Sequence, residues 1–281
     1  MKTKNICIIV SLLSVIVFTS CSKKEGCTDP LAINYSADAD KDDGSCQYLT
    51  PTPSAATTGT LTFNFTHHFD GANVSASNFN QFDFINENDD TLSISKLRYL
   101  ISNIRLYQSN GDSIVIDGYQ LVDVTNNTGL TFAPTDEIPF DSYSGISFIF
   151  GFDSLDNTGN YVDLNSATWN WPAMLGGGYH FMQMEGKYKH QGNDSLYAYH
   201  MGTARPSMGV FEQNFFKADL GAITITNDAT IEVKMDIAEW YKNPNTWDLN
   251  TYHGTLMPNY TAQKMMNQNG STVFSLGTVI Q

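Results

Sequence analysis

The chain has 281 residues, with 15 Lys+Arg against 29 Asp+Glu and a formal charge of −14. Phosphate neutralisation needs a basic patch, so a chain this acidic with no basic run is unsuited to nucleic acid. The length allows one domain of ordinary size and something small beside it.

Lys2 and Lys4 open the chain, and an apolar run follows from Ile6 to Phe18. The run is shorter than the roughly 20 residues a spanning helix needs. A charged start before a short apolar stretch predicts a signal peptide over residues 1–20. Phe18-Thr19-Ser20-Cys21 resembles the lipobox of bacterial lipoproteins, with Phe18 where leucine is usual. Cys21 is therefore the expected lipidation site, and residues 21–26 form a polar tether. Several acyl chains on one cysteine give stable attachment to a membrane. The expected location is the bacterial cell envelope, as an outer-membrane lipoprotein. Losing Lys2 and Lys4 leaves the mature chain two charges more negative.

Cys7 leaves with the signal and Cys21 takes the lipid, so Cys27 and Cys46 remain. Two cysteines in an oxidising compartment predict one disulfide. Closing a loop of about 20 residues contributes about 3 kcal/mol in the chain-entropy account. The bridge bounds a small acidic module, residues 27–48, similar to cysteine-bounded modules of other secreted bacterial proteins. Asp38, Asp40 and Asp42 are spaced two apart, as in loops that turn oxygens toward calcium. The alternative is a solvated acidic turn, since Gly44 comes one place late for an EF-hand and no glutamate closes the loop. Residues 49–59 hold Pro51 and Pro53 and little that could enter a core, which predicts a linker.

From residue 60 to 281 strands dominate. Leu61, Phe63 and Phe65 alternate with polar residues, a period of two. Ile114–Ile116 and Leu121–Val124 are β-branched runs on either side of an expected turn at Gly118. Ile146–Phe150, Ala222–Thr226 and Thr230–Met235 follow. Short strands separated by Asn, Asp and Gly predict a mainly β fold, an antiparallel β-sandwich with a few short helices. The helices are expected at 236–241, stopping before Pro244, and at 260–267, with Thr261 as N-cap.

Familiar catalytic patterns are absent. No phosphate loop or nucleophile elbow occurs, and Gly176-Gly177-Gly178 lacks the context of a dinucleotide loop. No catalytic residue is expected, and the chain reads as a binding protein rather than an enzyme. Six histidines, ten methionines and four tryptophans stand out instead. Imidazole and thioether together favour copper.

Five stretches carry a resemblance over the whole domain: Phe63–Gly71, with His67-His68 and Asp70-Gly71; Ile94–Leu106; Gly151–Asn157; Trp169-Asn170-Trp171 with Gly178–Gly186; and Tyr199-His200-Met201-Gly202 with His253–Pro258. Together they resemble the MbnP-like copper-binding domain family. That resemblance implies a β-rich envelope protein that binds copper. It also implies a di-haem peroxidase-type partner that oxidises one tryptophan to kynurenine. Carried over residue by residue, it points to His67 and His200 as metal ligands, with His253 and Met257 as looser matches. Trp169 and Trp171 match the tryptophans.

Other histidines have plainer roles at this level. His68 points to the opposite side of its strand from His67, His180 is expected to be structural, and His190 sits beside a turn. A competing function is a metal-free sandwich for surface adhesion or glycan binding, with the aromatics as its platform.

Overall fold

The computed structural model describes residues 23–48 and 57–281. The expected signal peptide, Cys21 and most of the expected linker lie outside the described residues. The chain forms two compact units, Met1–Ala55 and Ala56–Gln281.

In the first unit the expected disulfide joins Cys27 and Cys46. Glu25–Gly26 pairs in parallel with Lys41–Asp42. The three expected calcium carboxylates have other partners. Lys24 Nζ donates to Asp38 Oδ2 at 2.9 Å, the Lys24 backbone N–H to Asp40 at 3.4 Å, and the Gly44 N–H to Asp42 Oδ1 at 3.0 Å. Among the described residues no group of three or more His, Cys, Asp or Glu is arranged to hold a metal ion. Local donors thus engage all three aspartates within the acidic turn.

The second unit is mainly β. Its long strands are β1 (Leu61–Phe69), β2 (Thr91–Tyr107), β3 (Ser113–Asp123), β4 (Asp141–Phe150), β5 (Met182–His190), β6 (Asn193–Met201), β7 (Phe216–Ile225), β8 (Ala229–Asp236) and β9 (Phe274–Ile280). The large sheet runs β6-β5-β2-β4-β7, with β3 also on β2. β2 is long enough to pair with β5 through its first half and β4 through its second. The small sheet runs β9-β8-β1. Phe65 and Phe274 from the small sheet meet Tyr99 of the large one, so the core lies between the sheets.

The sandwich is antiparallel as expected, apart from one parallel pair, β1 and β8, from Ala229↔Leu61 to Asp236↔His68. These strands are remote in sequence, so no tight turn restricts their direction. Gly118 makes no turn between two strands: β3 runs through it, and its φ of 99° is one that glycine adopts without strain.

The expected helices exist in altered form. Ile237–Tyr241 is a 3₁₀ turn capped by Asp236, whose carboxylate accepts from Ala238 N–H. The second, α2 (Tyr260–Asn269), follows the short α1 (Val162–Ser166) in chain order. Asn259 caps α2 in place of Thr261, accepting from Ala262 N–H at 3.1 Å.

Residues 151–181 cross the face of the large sheet that points away from the sandwich core. They form a second small core of Leu100, Phe152, Leu164, Trp169 and Tyr179. Leu100 shows which face this is, because it has the same parity on β2 as Arg98 and opposite parity to Tyr99.

Candidate metal centre

Strand register sorts the expected ligands before any side chain is considered. Gln183 of β5 lies opposite both Arg98 of β2 and His200 of β6. One rung along, Glu185 lies between Lys96 and Ala198. Alternation puts all of these on the outer face. Tyr99, Met182 and Met201 form the rung next to Gln183 on the side away from Glu185 and point into the core, where each is fully buried.

His67 meets this rung from the other side. On β1 it has the parity of Phe63 and Phe65 and is 4% exposed, while His68 is half-buried. Its Nε2 shares a 3.0 Å hydrogen bond with Tyr99 Oη. Burial, with His68 beside it, pushes the His67 imidazole down to about 4. The large sheet therefore separates His67 from His200, and the expectation that they share an ion is corrected. The inward–outward alternation along β1 and β6 turns His67 into the core and His200 onto the outer face.

His200 has a different neighbour, His180, which the sequence alone gives a structural role. The two rings stand 5.4 Å apart and nearly perpendicular, at 86°. The segment leading into β5 brings His180 there. Gly176, Gly177 and Gly178 have φ of 114°, 67° and 81°, a left-handed run suited to glycine. The chain reverses through them, so Trp171 N–H donates to Gly178 O and His180 N–H to Trp169 O, each at 2.8 Å. Trp169 and Trp171 consequently lie 5.6 and 4.9 Å from the His180 ring. Gly202 admits Trp171: a Cβ there would sit 2.5 Å from the indole.

The pair is chemically prepared for a metal. His180 Nδ1 is buried and has no hydrogen-bond partner. Such an orphan is costly and rare in native interiors. Burial first, then the nearby His200, Arg98 and Lys96, pushes the His180 imidazole down to about 3. The ring is therefore neutral, the form that binds metal. Glu185 Oε1 accepts from His200 Nε2 at 2.9 Å and from Lys96 Nζ at 2.7 Å. The His200 bond and Lys96 together hold the Glu185 carboxyl down at about 2, against its desolvation. A carboxylate can only accept, so Nε2 of His200 carries a proton. In the neutral ring, Nδ1 is left with a free lone pair. A carboxylate on the second nitrogen is the usual support of a metal-binding histidine. Metal–imidazole bonds of about 2 Å place two ring centres that share an ion no more than about 6 Å apart. The 5.4 Å separation fits.

Around the pair, the Arg98 guanidinium lies 4.9 Å over the Trp169 ring. Its Nε is 3.1 Å from Asp123 Oδ2 without an aligned hydrogen bond. Trp171 Nε1 donates to Leu175 O at 3.1 Å, whereas Trp169 Nε1 has no partner.

The remaining expected ligands lie near but apart. His253 is exposed and accepts from Ala198 N–H through its backbone oxygen. With Glu185 and Ala198 it lines a depression of about 260 Å³ on the outer face. Met257 follows Leu256, whose carbonyl shares the Gln263 amide with the His200 carbonyl. No group of three carboxylate, thiolate or imidazole ligands unites them among the described residues. His190, half-buried, hydrogen-bonds Asn250 beside the two-residue turn Gln191-Gly192.

No curated protein matches the sequence. Among solved structures, MbnP from Methylosinus trichosporium shares the fold at 14% identity and a TM-score of 0.50, over 79% of this chain and 99% of that one. The MbnP family profile matches residues 58–262, well over half of the sequence, and the chain belongs to the MbnP family.

Proposed function

We propose that this protein is a copper-binding lipoprotein of a bacterial envelope, that His180 and His200 hold the ion, and that it captures or stores copper without catalysing a reaction. The family is linked to copper. The observation that carries the choice of residues is the close His180–His200 pair, with the buried, unpartnered nitrogen of His180. Structural zinc needs four protein ligands and catalytic zinc three. Two imidazoles fall short of both, while imidazole suits copper.

In this reading Glu185 fixes the His200 tautomer, Lys96 holds Glu185, and the two tryptophans exclude water from one side. Attachment through Cys21 and oxidation of one tryptophan by a di-haem peroxidase-type partner belong to the same proposal. Trp171 is the favoured target. The Arg98 cation over Trp169 opposes removal of an electron from that ring, and no such cation faces Trp171 among the described residues.

The test is expression of the full chain in a periplasm supplied with copper, followed by metal analysis and intact mass. About one copper per chain is expected, lost in His180→Ala and His200→Ala and kept in His67→Leu. A metal-free wild-type protein, or loss of copper only in the His67 variant, refutes the assignment.

A further inference from the structure

A second site lies beyond the copper reading and does not depend on it. A groove of about 430 Å³ opens where β2 and β3 meet the segment after β4. Its lining carries both signs of charge, Arg105 together with Asp117, Asp153 and Asp156. None of the ion pairs among the described residues includes any of the four.

Asn103 separates the charges. Arg105 Nε donates to Asn103 Oδ1 at 2.9 Å, and Asn103 Nδ2 donates to Asp153 Oδ2 at 3.4 Å. Asn103 has φ of 51°, at a break in the β2–β3 register between Ser102 and Ile104. A bulge of this kind re-aims side chains, and a left-handed non-glycine residue marks stored strain. Asp153 is held in turn by Leu155 and Asp156 N–H groups on its Oδ1. The Asp156 carboxylate accepts no hydrogen bond from the described residues, and burial with Asp153 beside it raises its affinity for a proton. The wall is aromatic: Tyr119 and Tyr161 rings stand 4.9 Å apart, both backed by Phe152. Tyr119 Oη donates to Asp163 at 2.6 Å, so its proton is already committed.

The unpaired cation and unpaired carboxylates call for a ligand that carries both complementary charges. We propose that the groove binds a small zwitterion, a free α-amino acid, with its carboxylate on Arg105 and its ammonium on Asp156 and Asp153. The Asn103 amide already spans the gap with an acceptor toward Arg105 and a donor toward Asp153, the same polarity in the same order. Ammonium beside tyrosine rings gains cation–π attraction, and Arg–carboxylate bonds are charge-assisted. Leu155, 79% exposed at the groove, supplies an apolar contact for the ligand side chain.

Titration of the full chain by calorimetry and ligand-observed NMR tests this with L-phenylalanine, L-serine, phenethylamine and hydrocinnamate. Saturable binding of at least one amino acid is expected. Phenethylamine, which lacks the carboxylate, and hydrocinnamate, which lacks the ammonium, should each bind at least about tenfold more weakly than L-phenylalanine, as the loss of a charge-assisted bond predicts. Arg105→Gln should erase the advantage of L-phenylalanine over phenethylamine, and Asp156→Asn its advantage over hydrocinnamate. Failure of both amino acids to bind overturns the proposal. So does phenethylamine binding as tightly as L-phenylalanine, which would make the groove a simple cation site. The analogue series is measured on the unaltered protein, so its outcome stands even where a variant misfolds.

Discussion

The imidazole rings of His180 and His200 stand 5.4 Å apart, one entering β5 and the other near the end of β6. Met182, two residues after His180, pairs with Met201, the residue after His200. The backbone ladder therefore fixes the histidine pair, and neither ring depends on a loose loop alone for its place.

Removing either histidine should lower copper affinity by at least about a hundredfold, since one imidazole cannot replace two. The two variants should differ in the metal-free state. His180→Leu removes an orphaned buried nitrogen, which costs about 1–3 kcal/mol where it stays unsatisfied. The apo variant should match or exceed the parent in urea midpoint while failing to bind copper. A strongly destabilised His180→Leu protein would mean that Nδ1 has a structural partner and would count against the site.

Glu185 should act through His200. Glu185→Ala frees His200 Nε2 and leaves Lys96 without its partner, so copper affinity should fall about 10–100-fold, the usual effect of losing a supporting carboxylate. The independent readout is the ¹⁵N shift pattern of His200 in the copper-free protein. A proton fixed on Nε2 in the parent should become a mixture of tautomers in the variant. An unchanged pattern would remove Glu185 from the site.

Much of the sandwich is legible in the sequence because β1 and β8 alternate cleanly, and Leu61, Phe63 and Phe65 name their own buried face. The same parity puts His67 inside with them, a signal present in the sequence that the family likeness outweighs. His180 is harder. Its role depends on three consecutive left-handed glycines that fold Trp171 back onto it, and φ cannot be read from glycine letters alone. As letters, Gly176-Gly177-Gly178 look like a dinucleotide loop without its context, yet they are the reversal that builds the site. Tyr-His-Met-Gly is legible as a motif, but the reason for its glycine, space for the Trp171 ring, appears only in three dimensions.

The two units should separate without loss. A chain beginning at Ala56 retains the whole second unit, so its thermal midpoint should lie within about 2 °C of the same transition in the full protein, a shift corresponding to less than about 1 kcal/mol. Reducing Cys27–Cys46 in the full chain should likewise leave that transition in place. A large drop in either experiment would show that residues 1–55 stabilise the sandwich.

His67 should make the fold sensitive to acid. Its folded value is about 4 against an ordinary value of 6.5, so the unfolded chain binds more protons between those limits. Stability from this residue is complete above about pH 6.5 and is lost as pH falls toward 4. At pH 4.5 the loss amounts to roughly 2–3 kcal/mol. Tyr99 and His68 are the titratable neighbours, and Tyr99 stays protonated throughout, because burial raises it well above its usual value. His67→Leu removes the protonation penalty but strands the Tyr99 hydroxyl, a cost of about 1–3 kcal/mol at every pH. The variant should therefore be the weaker protein at pH 7, with the gap closing or reversing at pH 4.5 in urea titrations. His180 imposes an acid penalty of the same sign on both proteins, so it cancels in the comparison. A gap that stays constant from pH 7 to 4.5 would mean that His67 titrates alike in the folded and unfolded states, and that the face of β1 it occupies is open to water.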